Sequence, residues 1–373
     1  MQVNSVSAMN KSLRAPPRIA VVGAGVAGAA CAAGLQRAGF EVAVFDKSGG
    51  VGGRMATRRA QWTDSDGALR TAEFDHGCPH FTVTRPRFRA VIDRAVSLGY
   101  ANRWRQHLYA AFPSPQRRDV VVPTPNMPAF CRFLLSGVPL HLGRAVTGLQ
   151  RCPEGWMLHL SEGRTEGPFD RVVLAIPATQ AAMLLAGHQS EWAGALAAVR
   201  MVPCWTLMAV TADVDWPWDV AEIERSPLAQ VARNDRKPGR TLTATASANS
   251  AQWVAHATPA WSLAHLEDEP EHVTAALCEA LAKLLPGPQP PHWRYASVHR
   301  WRYAQLANAA PGGLDCWWSK ALGLGVCGDS FGNGSIEAAW RSGDELADAI
   351  AAAFDSAPER AVAPEPELAD TAH

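Results

Sequence analysis

The sequence predicts an α/β protein in which a parallel-sheet nucleotide-binding domain, assembled from both ends of the chain, carries an inserted α+β domain. Three observations lead there: a strand–glycine–helix–strand–acid unit from Arg18 to Asp46, a second strand–glycine–acid–helix unit from Leu322 onward, and alternating stretches between them. With 373 residues and 47% hydrophobic content, the chain suits one large or two ordinary domains with a sizeable core. Its 35 basic and 35 acidic residues cancel, leaving no electrostatic footprint for nucleic acid or an anionic membrane.

The apolar run Ile19 to Val22 is short and followed at once by glycines, which reads as a buried parallel strand entering a tight turn. A helix opens on Val26, Ala27, Ala30, Cys31, Ala33 and Leu35, stops near Gly39, and gives way to a second strand at Glu41 to Phe45. Gly23, Gly25 and Gly28 complete G-x-G-x-x-G in that context: the first for the turn, the second for close approach of a pyrophosphate, the third for helix packing. The intervening Ala24, Val26 and Ala27 belong to the same cradle, since the helix N-terminus turns its free N–H groups toward the phosphates. Asp46, followed by Lys47, ends the second strand where a carboxylate accepts from ribose hydroxyls.

A simple dinucleotide unit proceeds from that acid into ordinary βα structure, whereas here a second glycine loop follows, Gly49-Gly50-Val51-Gly52-Gly53-Arg54. It allows another close backbone approach to the same ligand, with the fixed cation of Arg54 beside its phosphates or ring. A longer cofactor lying extended across the domain, FAD, is the expectation.

Farther along, Phe74 to Phe81 (FDHGCPHF) is turn-rich, a helix is expected from about Pro86 to Leu98, and a return strand at Leu140 to Leu149. Arg171 to Ile176 reads as a buried strand entering a helix around Gln180 to Leu185. From there to about Pro291, strands such as Thr206 to Thr211 and Thr241 to Ala246, a loop at Val214 to Trp218 and a helix at Glu271 to Leu285 suggest antiparallel sheet with helices. The last unit, Leu322 to Ala339, places Asp329 at a strand's carboxyl end and launches a helix running to about Phe354. We therefore expect a discontinuous nucleotide-binding domain over 18–82, 120–180 and 292–354, a substrate domain over 83–119 and 181–291, and disordered tails at 1–17 and 355–373.

The eight cysteines show neither C-x-x-C pairs nor metal-ligand spacing, so no metal is expected and a reducing compartment is inferred. No signal peptide or membrane span is evident, and the cytoplasm is the plain inference.

At this point a family is recognisable. The chain resembles flavoproteins of the amine-oxidase and protoporphyrinogen-oxidase class, and within it the renalases, through FDKSGGVGGRMATRR, FDHGCPHFTV, ARNDRKPGR, HATPAWS, HRWRYAQ and VCGDSFGNGSIEAAWRSG, from about Arg18 to Phe354. The resemblance implies a Rossmann-like FAD domain with an inserted α+β substrate domain, as in p-hydroxybenzoate hydroxylase and the amine oxidases, and FAD bound without a covalent link. Carried over, Gly23, Gly25 and Gly28 meet the pyrophosphate and Asp46 the adenosine ribose. Gly53 and Arg54 lie along the pyrophosphate and Val146 touches adenine. Gly328, Asp329, Glu337 and Ala338 surround the ribityl chain and flavin, and Asp75, Gly77 and Phe81 match a loop closing near the flavin ring. The sequence departs there, reading Cys78-Pro79-His80 where relatives read Ala-Gln-Tyr.

The activity implied is oxidation of isomeric dihydronicotinamide dinucleotides, reduced at ring position 2 or 6, to NAD(P)⁺, with oxygen reduced to hydrogen peroxide. Because the flavin accepts the hydride, the protein has chiefly to orient a flat ring. His256, Trp261, Trp301 and Tyr303 are candidates for that role, with His80 beside them in the divergent loop. Cys78 has no resolving partner nearby in sequence and receives no redox role. The run Ala232 to Arg240 admits two readings, Arg233 or Lys237 on substrate phosphates, or a solvated hairpin turn. The absence of a second G-x-G-x-x-G argues against a separate NADPH domain. An amine or other small-molecule oxidase on the same fold, and a non-catalytic flavin-binding protein, stand as alternatives. The partners expected are a small-molecule substrate and oxygen.

Overall fold

The computed structural model describes residues 16–109, 116–240, 249–287 and 289–355. The expected tails, apart from a few flanking residues, and the strand expected at Thr241 to Ala246 lie outside them.

Local pattern accounts for the first domain. Strands Arg18–Val22, Glu41–Asp46, Arg171–Leu174 and Leu324–Val326 are apolar enough to be covered on both faces, and with Leu140–Leu142 and Trp317–Ser319 they form a six-stranded sheet. All neighbours run parallel except the edge strand Trp317–Ser319. Helices Val26–Arg37 and Ile336–Asp355 lie together on one face. They approach closely because their contact is nearly bare of side chains: a Cβ on Gly343 would fall 2.0 Å from the Ala27 carbonyl oxygen. That contact justifies a glycine inside a helix, where it costs roughly 1 kcal/mol against alanine. The other face is covered by a three-stranded meander, Val146–Cys152, Gly155–Leu160 and Thr165–Phe169, and by helices Ala178–Leu185 and Ser190–Ala197. The return strand expected as one piece at Leu140 to Leu149 is interrupted at Gly143, whose φ of +71° breaks it.

The second domain is a seven-stranded sheet in the order Tyr295–Leu306, Met201–Ala212, Ser250–Ala257, Leu228–Arg233, Val220–Glu222, Ala101–Tyr109, Gln116–Pro123. Its outer face is sealed by helix Pro270–Ala282 over Trp205, Leu207, Trp253 and Ala255. Its inner face meets the hairpin Arg58–Thr63 and Leu69–Phe74 through Met208, Val210 and Val254.

Sheet membership corrects the expected segment boundaries. Tyr295–Leu306, assigned to the nucleotide-binding segment 292–354, pairs instead with Met201–Ala212 as an edge of the second sheet. Strand Gln116–Pro123 belongs wholly to that sheet although the expected boundary fell at 119/120. Conversely helix Pro86–Ser97, expected in the substrate domain, buries Phe88, Ile92 and Ala95 in the core beneath the nucleotide-binding sheet. Each shift depends on non-local pairing or packing, which short-range pattern does not encode.

Candidate active site

The first glycine loop is shaped by what its residues lack. Gly23 has φ +112°, donates its N–H to the Phe45 carbonyl at 2.7 Å, and a Cβ there would lie 2.4 Å from the Ala175 oxygen. A Cβ on Gly28 would fall 1.9 Å from the Gly23 carbonyl oxygen, so this glycine lets the helix sit on the turn. Gly25 is different: a Cβ would meet nothing within 4 Å. It caps the helix without any side-chain hydrogen bond, and the orphan N–H groups of the first turn, around buried Val26 and Ala27, have no side-chain cap. Asp46 closes the loop, its carboxylate accepting from Ala24 N–H and Ser48 N–H at 2.7 Å each. Lys47 is exposed. Val146 stands near the same strand end, because Arg144 N–H donates to the Asp46 carbonyl at 2.8 Å.

The second glycine loop rests on the first. Gly52 N–H donates to the Ala24 carbonyl at 2.9 Å, and a Cβ on Gly53 would be 3.3 Å from the Gly25 Cα. Arg54 then reaches across to the C-terminal unit and grips Asp329 with two parallel bonds, of 2.8 and 2.5 Å, while also donating to the Ala304 carbonyl at 3.2 Å. Gly328 N–H donates to the Ser342 hydroxyl at 2.9 Å, fixing the turn that carries Asp329. Glu337 turns aside, accepting from Arg85 N–H at 2.7 Å and from the Thr84 hydroxyl at 2.5 Å, and Ala338 N–H donates to Ser335 Oγ. An uncapped helix terminus, two glycine loops in contact and acceptors at either end form a cradle that an extended, diphosphate-bearing cofactor fits.

The loop Asp75 to His80 lies between the two domains. Asp75 is fully buried, takes Lys237 Nζ at 2.8 Å, Arg240 Nη2 at 2.6 Å and the Thr57 hydroxyl at 2.6 Å, and donates its N–H to Asn234. Burial alone would raise its carboxyl, but the two cations outweigh it and hold the group below its ordinary range. Burial likewise lowers the Lys237 ammonium, with Asp75 opposing. Gly77 has no room for a side chain, since a Cβ would lie 2.0 Å from the Arg54 carbonyl oxygen, which also accepts from Cys78 N–H at 2.8 Å. The inner face of the seven-stranded sheet pins the other side: His256 Nε2 hydrogen-bonds the Gly77 carbonyl at 2.8 Å and Trp301 Nε1 donates to the His76 carbonyl at 3.0 Å.

This face presents rings. His299, Thr206 and His256 stand side by side on neighbouring strands, and Trp301 lies opposite Cys204 one step along. His76 stacks on Trp301 at 5.1 Å and meets His299 edge-on at 4.7 Å. Burial pushes the imidazoles down, His76 to about 4 with help from His299, His256 to about 4, and His80 to about 3 with help from Lys237. The rings are therefore neutral near pH 7. Burial also pushes the Cys78 thiol up to about 11, and its Sγ–H donates to the His80 carbonyl, so it carries no thiolate.

A model of the NAD(P)-binding Rossmann-like domain matches residues 21–95, and one of flavin containing amine oxidoreductases matches residues 113–351. The chain belongs to the flavin containing amine oxidoreductases. Among solved structures it is similar to cyclohexylamine oxidase from Brevibacterium oxydans IH-35A, with a TM-score of 0.67 at 14% identity, covering 91% of this chain and 100% of that one. It is also similar to wild-type putrescine oxidase bound to putrescine, with a TM-score of 0.61 at 15% identity, covering 90% and 99%. At these identities the likeness shows the fold. Among curated proteins, the tRNA 5-methylaminomethyl-2-thiouridine biosynthesis bifunctional protein MnmC from Magnetococcus marinus is 28% identical over 198 residues, 43% of this chain and 30% of that protein. The chain thus spans under a third of that relative.

This amine oxidoreductase is an FAD-dependent enzyme. Among the described residues no cluster of His, Cys, Asp or Glu could hold a metal, and no helix is long and apolar enough to cross a membrane. Several sequence expectations are redirected. Trp261 stacks on His265 and packs against the cluster on the outer face of the sheet, away from His256. Phe81 sets its ring against Phe88 and Phe130 in the first domain's core, so it anchors the loop. Tyr303 lies at an exposed edge. Arg233, only 3% exposed, is forked onto Asp235 and paired with Asp213, and Lys237 is buried on Asp75; neither is free for substrate phosphates, and the run is no solvated hairpin. Sequence reasoning missed Thr57, His76, Arg240 and His299. The period-2 spacing of His299 and Trp301 in HRWRY was the available signal for the last of these.

Proposed function

We propose that the enzyme oxidises isomeric dihydronicotinamide dinucleotides, the 2- or 6-dihydro forms of NAD(P), to NAD(P)⁺, with oxygen becoming hydrogen peroxide. The observation that carries this reading is the wall of neutral rings, His76, His256, His299 and Trp301, next to a carboxylate, Asp75, already committed to two cations. Such a wall suits a flat ring that must be stacked, held still and shielded from water. Bound FAD supplies the hydride acceptor, the N5 of its own ring. A dihydropyridine loses a hydride without first losing a proton, so the protein needs no base, and imidazoles held neutral by burial supply none that is strong. Val146 and Asp46 would hold the adenosine, Gly25, Gly53 and the helix terminus the diphosphate, and Asp329 the ribityl chain. Asp329 would do so while Arg54 fixes its carboxylate.

A second reading, a small amine as substrate, draws on the fold shared with cyclohexylamine and putrescine oxidases. It needs an anchor for a cation, and the paired state of Asp75 disfavours it. Peroxide release separates the two. The purified holoenzyme is given each dihydronicotinamide isomer, cyclohexylamine and putrescine in air; peroxide from the 2- or 6-dihydro form and not from the amines supports the proposal, and peroxide from the amines alone overturns it.

A further inference from the structure

Arg58 opens strand Arg58–Thr63 directly after Thr57, whose hydroxyl is tied to the buried Asp75, so its backbone is fixed beside the loop Asp75 to His80. Strand alternation gives Arg58 the same face as Ala60 and Trp62, the face that packs on the seven-stranded sheet through Met208, Val210 and Tyr295. Register sets Arg58 opposite Phe74, two residues before His76. Phe74 lies against Tyr295, and His76 against His299 and Trp301, so Arg58 lies beside the stretch from Tyr295 to His299, on the edge strand of that sheet. Electrostatics agree: after burial, the charge of Arg58 is the next cause of the lowered His299 imidazole, and it acts on His76 behind burial and His299. The guanidinium is exposed and has neither an ion pair nor a hydrogen bond among the described residues. Glu73, the acid of the paired strand, stands opposite Arg59 and takes the other face. His76 is 6% exposed, and its buried Nδ1 has no hydrogen-bond partner either. A charged donor and a neutral imidazole thus flank the rings without protein partners, while Lys237 and Arg240 are committed to Asp75.

We propose that Arg58 is the anion subsite of the ring wall, taking the diphosphate of a dinucleotide whose ring stacks on His76, His299 and Trp301. One ribose separates such a ring from the first phosphate, so a cation beside the wall and open to solvent meets the diphosphate where the substrate emerges. A guanidinium joins phosphate oxygens by two parallel hydrogen bonds, which also fixes the direction in which the dinucleotide lies. The inference rests on the dinucleotide reading above, for which it names the residue that tells a phosphate-bearing ring from a bare one, and its test separates the two.

Holoenzyme is titrated with NAD⁺ and with nicotinamide riboside, which carries the same ring and no phosphate, while the flavin's visible band is followed. The wild type should bind NAD⁺ the more tightly. Arg58→Gln should weaken NAD⁺ on the order of tenfold and shift the riboside little, since one charge-assisted fork is lost. Arg58→Lys should restore part of the loss, and added salt should shrink the NAD⁺ advantage of the wild type. With a dihydronicotinamide dinucleotide as reductant, Arg58→Gln should raise KM more than it lowers kcat. NAD⁺ bound no more tightly than the riboside by the wild type, an NAD⁺ affinity unchanged in Arg58→Gln, or equal losses for the two probes overturns the subsite. Release of FAD from the variant overturns it too, because the guanidinium would then hold the cofactor. A selective loss of NAD⁺ affinity, in an enzyme whose flavin no dihydronicotinamide reduces, leaves the subsite standing and removes the substrate reading alone.

Discussion

Asp75 is the residue on which most of the site's charge converges. A carboxylate with no solvent exposure survives as an anion only because Lys237 and Arg240 meet it. Removing one member leaves the others buried without compensation, so Asp75→Asn should cost about 3–5 kcal/mol of unfolding free energy at neutral pH. Asp75→Asn with Lys237→Met should recover part of that, because the uncompensated ammonium is gone. Urea unfolding of the two variants measures both, and an Asp75→Asn midpoint equal to the wild type would contradict the network. None of this was legible in the sequence. Lys237 and Arg240 lie far from Asp75 along the chain, and a basic run around Pro-Gly reads as a surface turn when its partner is unknown. Trp261 misled for a related reason, since an aromatic beside a candidate histidine carries no mark of which sheet face it takes.

At the scale of the element, the first glycine loop separates folding from binding within one motif. Gly28→Ala would drive a Cβ into a backbone oxygen that cannot move aside, whereas the space beyond Gly25 is open and its φ of −76° suits any residue. Gly28→Ala should therefore destabilise the protein by roughly 1–3 kcal/mol or more. Gly25→Ala should leave the unfolding of FAD-free protein unchanged while weakening FAD binding on the order of tenfold, by crowding the approach to the helix terminus. Calorimetry of FAD binding and denaturation of the stripped protein read the two effects, and equal losses of stability in both variants would contradict the division. This unit was legible because its strand, turn, helix and acid lie within one short stretch. Tyr295–Leu306 was not, because its place depends on pairing with a strand some ninety residues earlier in the chain and its mixed composition suits either domain.

For the whole molecule, the buried imidazoles make stability depend on pH in a stated direction. His76, His80 and His256 have folded pKa values of about 4, 3 and 4 against an ordinary 6.5, so the unfolded chain binds more protons in the interval between. Their contribution is complete above about pH 6.5 and is lost progressively as pH falls toward 4. Asp75, held low, loses its contribution in the same direction as the pH drops through its folded value. Urea midpoints should fall steadily from pH 7 to pH 5, and His256→Asn should flatten that slope; a level profile in the wild type would contradict the neutral assignment.

The same neutral rings carry the functional account, and one measurement reaches it directly. Anaerobic mixing of the holoenzyme with 2-dihydro, 6-dihydro and 4-dihydro NAD(P) follows the loss of the flavin's visible band. The account predicts rapid bleaching by the 2- or 6-dihydro form, with peroxide once air is readmitted. A flavin that stays oxidised with all three, yet bleaches with an amine, would contradict it.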